Sequence, residues 1–433
     1  MNIRSIAMSF GGGHRVATLR RWTLHTVFNF STLHNFLPWL ENKAASTISS
    51  SLSIANSSSY GNSLFASNSI QTGDCILHVP YSVQITPDNL PPQIRSLITE
   101  DVGNVAKLAI VLLIHKNLGQ DSEWYPYISC LPPQAEMHNT IFWNESELEM
   151  IRQSSVYEET IYQKSQIEKD FMAIRPVFKS FCQSFGDFTC KDFMHACAQD
   201  FLNHDGTSEA IVMSDDNKQC SEVIADCDYV PGEQVLIRYG KFSNATLMLD
   251  FGFTIPYNIY DQVQIQCDIP KLDPLRDIKL ELLQQYFVPP TKVEKGLKYS
   301  VNSFTIKEVK SAGGKGKGVP QSLRALARVL TCTTPQELNY LVMEAAQTDG
   351  RLARRSLQDM NREIQAHKIL SSLFIQLIEE RNATITSLDS CDSSSLGERL
   401  PIRRQMAQDL LHGELRILKS ASAWLENYCF SLT

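Results

Sequence analysis

Along this chain the spacing of apolar and polar residues changes period three times, and each change marks a different kind of element. Between Tyr60 and Pro80 the apolar runs are short and bounded by turn residues: Tyr60-Gly-Asn-Ser-Leu-Phe65, then Gly73-Asp74, then Cys75-Ile-Leu-His-Val-Pro80. That pattern predicts two strands joined by a turn. From Asp101 the period lengthens. Val105, Leu108, Ala109, Leu112 and Leu113 recur at helical spacing, and Glu145 to Lys179 is amphipathic and charged. Trp124-Tyr-Pro-Tyr127 and Cys130-Leu-Pro-Pro133 interrupt the helices, because proline removes a helical donor and restricts the residue before it. Brief apolar runs return at Ala210–Met213, Val223–Asp226 and Gln234–Tyr239, which predict strands. After about Pro270 the chain is helical again. Leu357, Met360, Ile364, His367, Leu370, Phe374 and Leu377 outline one long helix, and Met406, Leu410, Leu415, Leu418, Ala421, Leu425 and Tyr428 a second. A polar linker with Ser390 and Ser393 to Ser395 separates them, so they are expected to pair antiparallel. His367 sits in the first stripe and is read as a packed residue rather than a ligand. Gly313-Gly-Lys-Gly-Lys-Gly318 lacks the order of a phosphate-binding loop and follows no clear strand, so it is read as a mobile surface loop.

Composition narrows the picture. A chain of 433 residues, 43% hydrophobic and 20% charged, has room for two or three domains and a sizeable core. A formal net charge of −7 gives no reason to expect nucleic acid as the main partner. The longest apolar run, Leu108-Ala-Ile-Val-Leu-Leu-Ile114, is far too short to cross a bilayer, so no membrane partner is expected. The eleven cysteines include no Cys-x-x-Cys pair; the closest groupings are Cys182, Cys190 and Cys197, then Cys220 and Cys227. That spacing argues against a structural zinc site and fits free thiols in a reducing compartment, and no metal ligand is assigned. The first 40 residues contain Arg4, Arg15, Arg20 and Arg21, and no acidic residue precedes Glu41. An arginine-rich, acid-poor, hydroxyl-bearing start reads as an organelle transit peptide, the alternative being an unstructured terminus. The Ser-rich stretch from Ser46 to Ser59 reads as a flexible connection.

Candidate chemistry gathers around Asp200-Phe-Leu-Asn-His-Asp205. Asn and Asp are common turn formers, so on spacing alone this segment is a turn. Arg238-Tyr-Gly-Lys-Phe-Ser-Asn-Ala245 and Leu249-Asp-Phe-Gly-Phe253 change that reading. An Asn-His-Asp, then a strand ending in Tyr-Gly, then Ser-Asn-Ala and an Asp-aromatic-Gly-Phe together resemble the SET-domain protein-lysine methyltransferases. Within them the chain is similar to the plant branch typified by the Rubisco large-subunit methyltransferase, from roughly Leu37 to the C-terminus.

The resemblance implies an α+β fold. A mostly β SET core over residues 41–270 would carry an inserted helical lobe at about 97–200, and an all-helical domain over 271–433 would bind a protein substrate. The implied reaction is methyl transfer from S-adenosylmethionine to a lysine of a non-histone protein, in a monomeric enzyme of the chloroplast or mitochondrion, the chloroplast being slightly preferred. The implied cofactor contacts are Gly61, Asn62, Ser63 and Leu64, with Ser63 in place of a second family glycine, together with Asn203 and His204. Tyr239 would stand beside the methyl and the amine, since a phenol can donate or accept a hydrogen bond there. Phe251 would join it in the lysine channel, at a position where many relatives have Tyr, which leaves the number of methyl groups added open. One departure carries an alternative. Phe193-Met-His-Ala-Cys-Ala198 runs through Gln199 straight into Asp200, without the Ser-Arg pair, loop and strand usual in the family. A catalytically weak or inactive SET-like binding module is the reading which that shortening supports.

Overall fold

The computed structural model describes residues 30–44, 51–57, 61–180, 188–197, 210–287, 303–313, 315–347, 351–390 and 399–433. The chain divides into two compact units, Met1–Ile141 with Ile161–Lys241 and Phe142–Thr160 with Phe242–Thr433.

In the first unit, β1 (Leu52–Ser57) and β2 (Gly61–Ala66) form an antiparallel pair with Ile54 opposite Leu64. β3 (Cys75–Pro80), β4 (Val212–Asp215) and β5 (Cys220–Ile224) form a second antiparallel sheet in the order β3-β5-β4. Leu52, Ala66, Ile76, Val223, Val235 and Ile237 close one core, as alternation on half-buried strands requires. The two expected strands before Pro80 and the two around Val212 and Val223 are therefore present. The third expected strand, Gln234–Tyr239, is different: it is extended and meets β2 only at an isolated bridge, Phe65 opposite Gln234. Val235 N donates to Leu64 O at 2.8 Å, but Arg238 N donates to Ala210 O at 2.7 Å. The segment changes partner midway, so no regular ladder forms.

The helical lobe packs around Asn104–Leu118, in which Ala106, Ala109, Ile110, Val111, Leu113 and Ile114 are all buried. Phe171, Ile174 and Phe178 from the helix Ser155–Ser180 and Phe193 from Cys190–Ala196 fill the same core. Thr189 starts the last of these with a capping box: Asp192 N donates to Thr189 Oγ1 at 3.2 Å and Thr189 N to Asp192 Oδ2 at 3.0 Å. The helix Phe30–Ala44 begins inside the stretch read as a transit peptide. Leu40 is buried beside Val83, Trp39 Nε1 donates to Glu123 O at 3.1 Å, and Lys43 Nζ lies 2.5 Å from Glu123. Residues from Phe36 onward thus pack into the folded unit.

In the second unit, β6 (Gln262–Gln266) and β7 (Ser303–Lys307) pair antiparallel, with Val263, Ile265, Phe304 and Ile306 turned inward. The two long helices of the sequence pattern are Met360–Ser390 and Arg399–Leu432. Asp359 starts the first by accepting from Asn361 N and Arg362 N, which places Leu357 before the helix. Gln408 meets Asp389, Arg381 meets Glu414 and Tyr428 meets Glu363, so the pair is antiparallel as expected. Leu370, Phe374, Leu418, Ala421 and Leu425 are buried between them, the larger apolar side chains each contributing roughly 1.5–3 kcal/mol of transfer free energy.

His367 is part of that packing. Its Nδ1 lies 2.8 Å from Glu363 O and its Nε2 accepts from Arg324 Nε at 3.3 Å, an arrangement that suits the neutral ring. Burial also holds its pKa below the usual range. The glycine-lysine loop departs from its reading as a mobile surface element. Gly316 is buried at φ +62°, and a Cβ there would meet the Trp424 ring at 2.3 Å. Val319 N donates to Gly316 O and Lys307 N to Gly318 O, which ties the loop to β7. Glycine serves close packing at this point.

Candidate active site

Two stretches of backbone converge on Tyr239. β2 and the segment after Gly232 run antiparallel, with Ala66 N donating to Glu233 O and Val235 N to Leu64 O, both at 2.8 Å. These bonds to β2 end at Val235 and Leu64. The bond from Arg238 N then anchors the residue before Tyr239 to Ala210, the first described residue after the Asn203-His204 segment. Tyr239 is half-buried and packs, with Leu64, on the edge of the core containing Val235 and Ile237. Ser63 is 2% exposed and lies on the face of β2 opposite Leu64 and Ala66, which pack on the core.

Beyond Lys241 the chain belongs to the second unit. Ser243 caps the short helix Asn244–Thr246, and Leu247–Phe251 continues as a single π turn, a form that recurs at functional sites. Phe251 stacks on Phe242, with centroids 5.8 Å apart and planes 28° apart, and lies 6.4 Å from Phe253. A buried knot fixes this aromatic group. Asn244 N donates to Asp261 Oδ1 at 2.8 Å, Asn244 Nδ2 to Ile255 O at 2.9 Å, and Ile255 N to Asn244 Oδ1 at 2.9 Å. Asn258 Nδ2 donates to Phe242 O at 2.9 Å, and Arg416 Nη2 to Asn258 O at 2.8 Å. Arg416 also faces Asp261 at 3.6 Å. The helix Arg399–Leu432 passes so close that a Cβ on Gly413 would meet Asp261 Oδ2 at 2.2 Å.

The surroundings of this knot are acidic. Burial first, then the charges of Asp250 and Glu414, push Glu159 up to about 7. Burial also pushes Asp261 up to about 6, against the Asn244 N–H and Arg416, which favour its charged form. Arg381 partners the buried Glu414 at 3.1 Å, and Ser154 donates to the other Glu414 oxygen.

The residues expected at the site are thus placed unevenly. In the first unit the segment ending in Tyr239 is bonded through Val235 to Leu64 of β2; Phe251 sits in the second unit's aromatic group. Asn203, His204 and the junction Ala198-Gln199-Asp200 lie outside the described residues. The sequence reading gave Asn244, Asp261 and Arg416 no role. Only Asn244 carried a signal, as the Asn of the Ser-Asn-Ala motif; the other two are brought in by tertiary packing.

Comparison with known proteins agrees with this layout. The SET-domain family model matches residues 61–240, and the Rubisco LSMT substrate-binding model matches residues 270–418. The chain is similar to the actin-histidine N-methyltransferase of Gallus gallus, 24% identical over 294 residues covering 59% of this chain and 48% of that protein. It is also similar to the chloroplastic ribulose-1,5-bisphosphate carboxylase/oxygenase large subunit N-methyltransferase of Pisum sativum, 25% identical over 293 residues covering 58% and 57%. The chain spans about half the length of these curated relatives. A solved structure of Rubisco LSMT bound to AdoMet superposes with TM-score 0.70 at 20% identity, covering 93% of each chain. No described helix is long and apolar enough to cross a membrane. The α+β fold is that of the SET proteins, and the two family matches together span most of the sequence. The chain thus joins a SET-domain match over residues 61–240 to a Rubisco LSMT substrate-binding match over residues 270–418.

Proposed function

We propose that the protein is an S-adenosylmethionine-dependent N-methyltransferase acting on a non-histone protein, with lysine as the acceptor. The observation that carries this reading is the backbone convergence at Tyr239. The segment ending in Tyr239 is hydrogen-bonded first to β2, which bears Gly61–Leu64, and then to Ala210. The donor set suits the cofactor chemically: a strand that offers backbone amides and carbonyls beside a half-buried phenol, with Asn203 and His204 as the remaining proposed contacts. When bound, S-adenosylmethionine supplies an electrophilic sulfonium methyl group. The protein's own work is to bind, orient and keep water out, which is proximity catalysis with oriented dipoles. Tyr239 would hold the acceptor nitrogen through its hydroxyl, and Phe251 keeps the acceptor-channel role that the family resemblance implies. The helical region over residues 270–418 would bind the protein substrate.

The relatives named as methyltransferases favour an enzyme over a silent binding module. Histidine is the second acceptor to weigh, because several relatives are named actin-histidine N-methyltransferases. Incubating the chain with radiolabelled S-adenosylmethionine and a plant or animal protein extract, then hydrolysing the labelled protein, tests both readings. Methyllysine supports the proposal, methylhistidine moves the acceptor, and absence of both cofactor binding and label would sink it. For location, we propose organelle import with cleavage upstream of Phe36, since later residues are packed in the first unit. A mature N-terminus between Phe36 and Ala44 would contradict that.

A further inference from the structure

Away from Tyr239, the sheet β3-β5-β4 brings together three side chains of a different chemistry. His78 lies opposite Glu222 and Pro80 opposite Cys220 across the β3–β5 pair. Cys220 and Glu222 are two residues apart on one strand and so share a face. One donor atom from each of His78, Cys220 and Glu222 lies within 4.8 Å of the others, and among the described residues they are a group that could hold a metal ion. His78 Nδ1 and Glu222 Oε1 are 3.1 Å apart. The Cys220 thiol is buried, while the His78 and Glu222 side chains are 34% and 18% exposed, which leaves a route in from solvent. Lys218 Nζ contacts the other carboxylate oxygen, Glu222 Oε2, at 3.3 Å and also faces Asp215 at 3.8 Å. It therefore does not occupy the oxygen that faces the imidazole.

We propose that His78, Cys220 and Glu222 form a site for a zinc-class divalent transition metal, with solvent in the fourth position. Imidazole, thiolate and carboxylate are the donors such ions take, whereas magnesium and calcium prefer oxygen alone. A tetrahedral ion with bonds of about 2.0–2.3 Å sets its ligand atoms about 3.3–3.8 Å apart, so the three side chains need to close by only about 1 Å. Binding breaks the Cys220 S–H bond and forms a sulfur–metal bond; the proton passes to water, so affinity rises with pH. The site does not depend on the methyltransferase reading. It would cross-link strands that are 144 residues apart in the chain and stabilise the fold in proportion to metal occupancy.

The test uses the full chain, stripped with a chelator and titrated with cobalt(II). One equivalent should produce a thiolate-to-cobalt charge-transfer band and the intense visible bands of tetrahedral cobalt, both displaced by zinc, with release of one proton. Cys220→Ser should abolish the charge-transfer band, and His78→Gln should weaken binding at least tenfold while the circular dichroism stays unchanged. Cys332→Ser, in the second unit, should leave the spectrum intact. The proposal is overturned if no charge-transfer band appears, if the band survives in Cys220→Ser, or if His78→Gln binds cobalt as tightly as the parent.

Discussion

The run from Gln234 to Phe253 has two halves that are held in opposite ways. Up to Tyr239 the chain is bonded through its backbone to β2 and to Ala210, while Val235 and Ile237 pack in a core. From Phe242 onward it is positioned by side chains: Asn244, Asn258, Asp261 and Arg416 bond to one another and to the backbone of Phe242 and Ile255. A segment held by its backbone can change a side chain at small structural cost, so that side chain is available for chemistry. A segment held by side chains is rigid, and its cost of change is structural. The difference sets the proposed reactive position apart from a scaffolding one within twenty residues of sequence.

The sharpest break between the halves is Tyr239→Phe. Removing the hydroxyl proposed to hold the acceptor nitrogen is expected to lower turnover by roughly 10²–10³-fold, while melting changes by less than about 1 kcal/mol. Equal turnover of the two proteins on the same substrate would remove Tyr239 from the reaction. Asn244→Ala should show the reverse profile. Ile255 N and O would lose their partners inside a buried site, which costs roughly 2–4 kcal/mol, seen as a lower denaturant midpoint. A loss below about 0.5 kcal/mol would mean that the knot is not what holds the aromatic group.

The acidic neighbourhood gives a pH test of the second half. Glu159 and Asp261 have folded pKa values of about 7 and about 6, above the ordinary 4.5 and 3.8. Between those limits the folded state binds more protons than the unfolded one, so stability falls as pH rises from about 4 to 7. Glu159→Gln removes one such group and should flatten the decline by on the order of 1–3 kcal/mol. Thermal melting of parent and variant at pH 5 and pH 8 decides it; identical slopes would show that Glu159 titrates normally. The smallest effect is expected of Phe251→Tyr. It should leave melting within about 1 kcal/mol and change the ratio of mono-, di- and trimethylated product, read by mass spectrometry. An unchanged ratio would place Phe251 outside the acceptor channel.

Much of this organisation follows from local pattern. A helical stripe is a property of residues three and four apart, so the two long helices and their antiparallel pairing were legible; the first starts at Met360 rather than Leu357, after the Asp359 cap, and runs on to Ser390, which was read as linker. The strands near Cys75, Val212 and Val223 were legible from alternation, and the Tyr-Gly, Ser-Asn-Ala and Asp-Phe-Gly-Phe motifs pointed to the SET fold. What spacing could not reach depends on contacts between distant residues. Gln234–Tyr239 carries a strand pattern, yet its backbone is shared between Leu64 and Ala210, and only the assembled sheet decides that. Gly313–Gly318 has the composition of a mobile loop, yet Trp424 and β7 pack against it. Phe36–Leu40 falls within the stretch read as a targeting segment, yet Glu123 and Val83 bind it into the first unit. Cysteine spacing argued against zinc because it examines neighbours in sequence. His78, Cys220 and Glu222 become neighbours only when β3 pairs with β5. The physical reason is common to all four: periodicity encodes which face of an element is apolar, and pairing between remote segments, set by the closing of the core, decides which side chains meet.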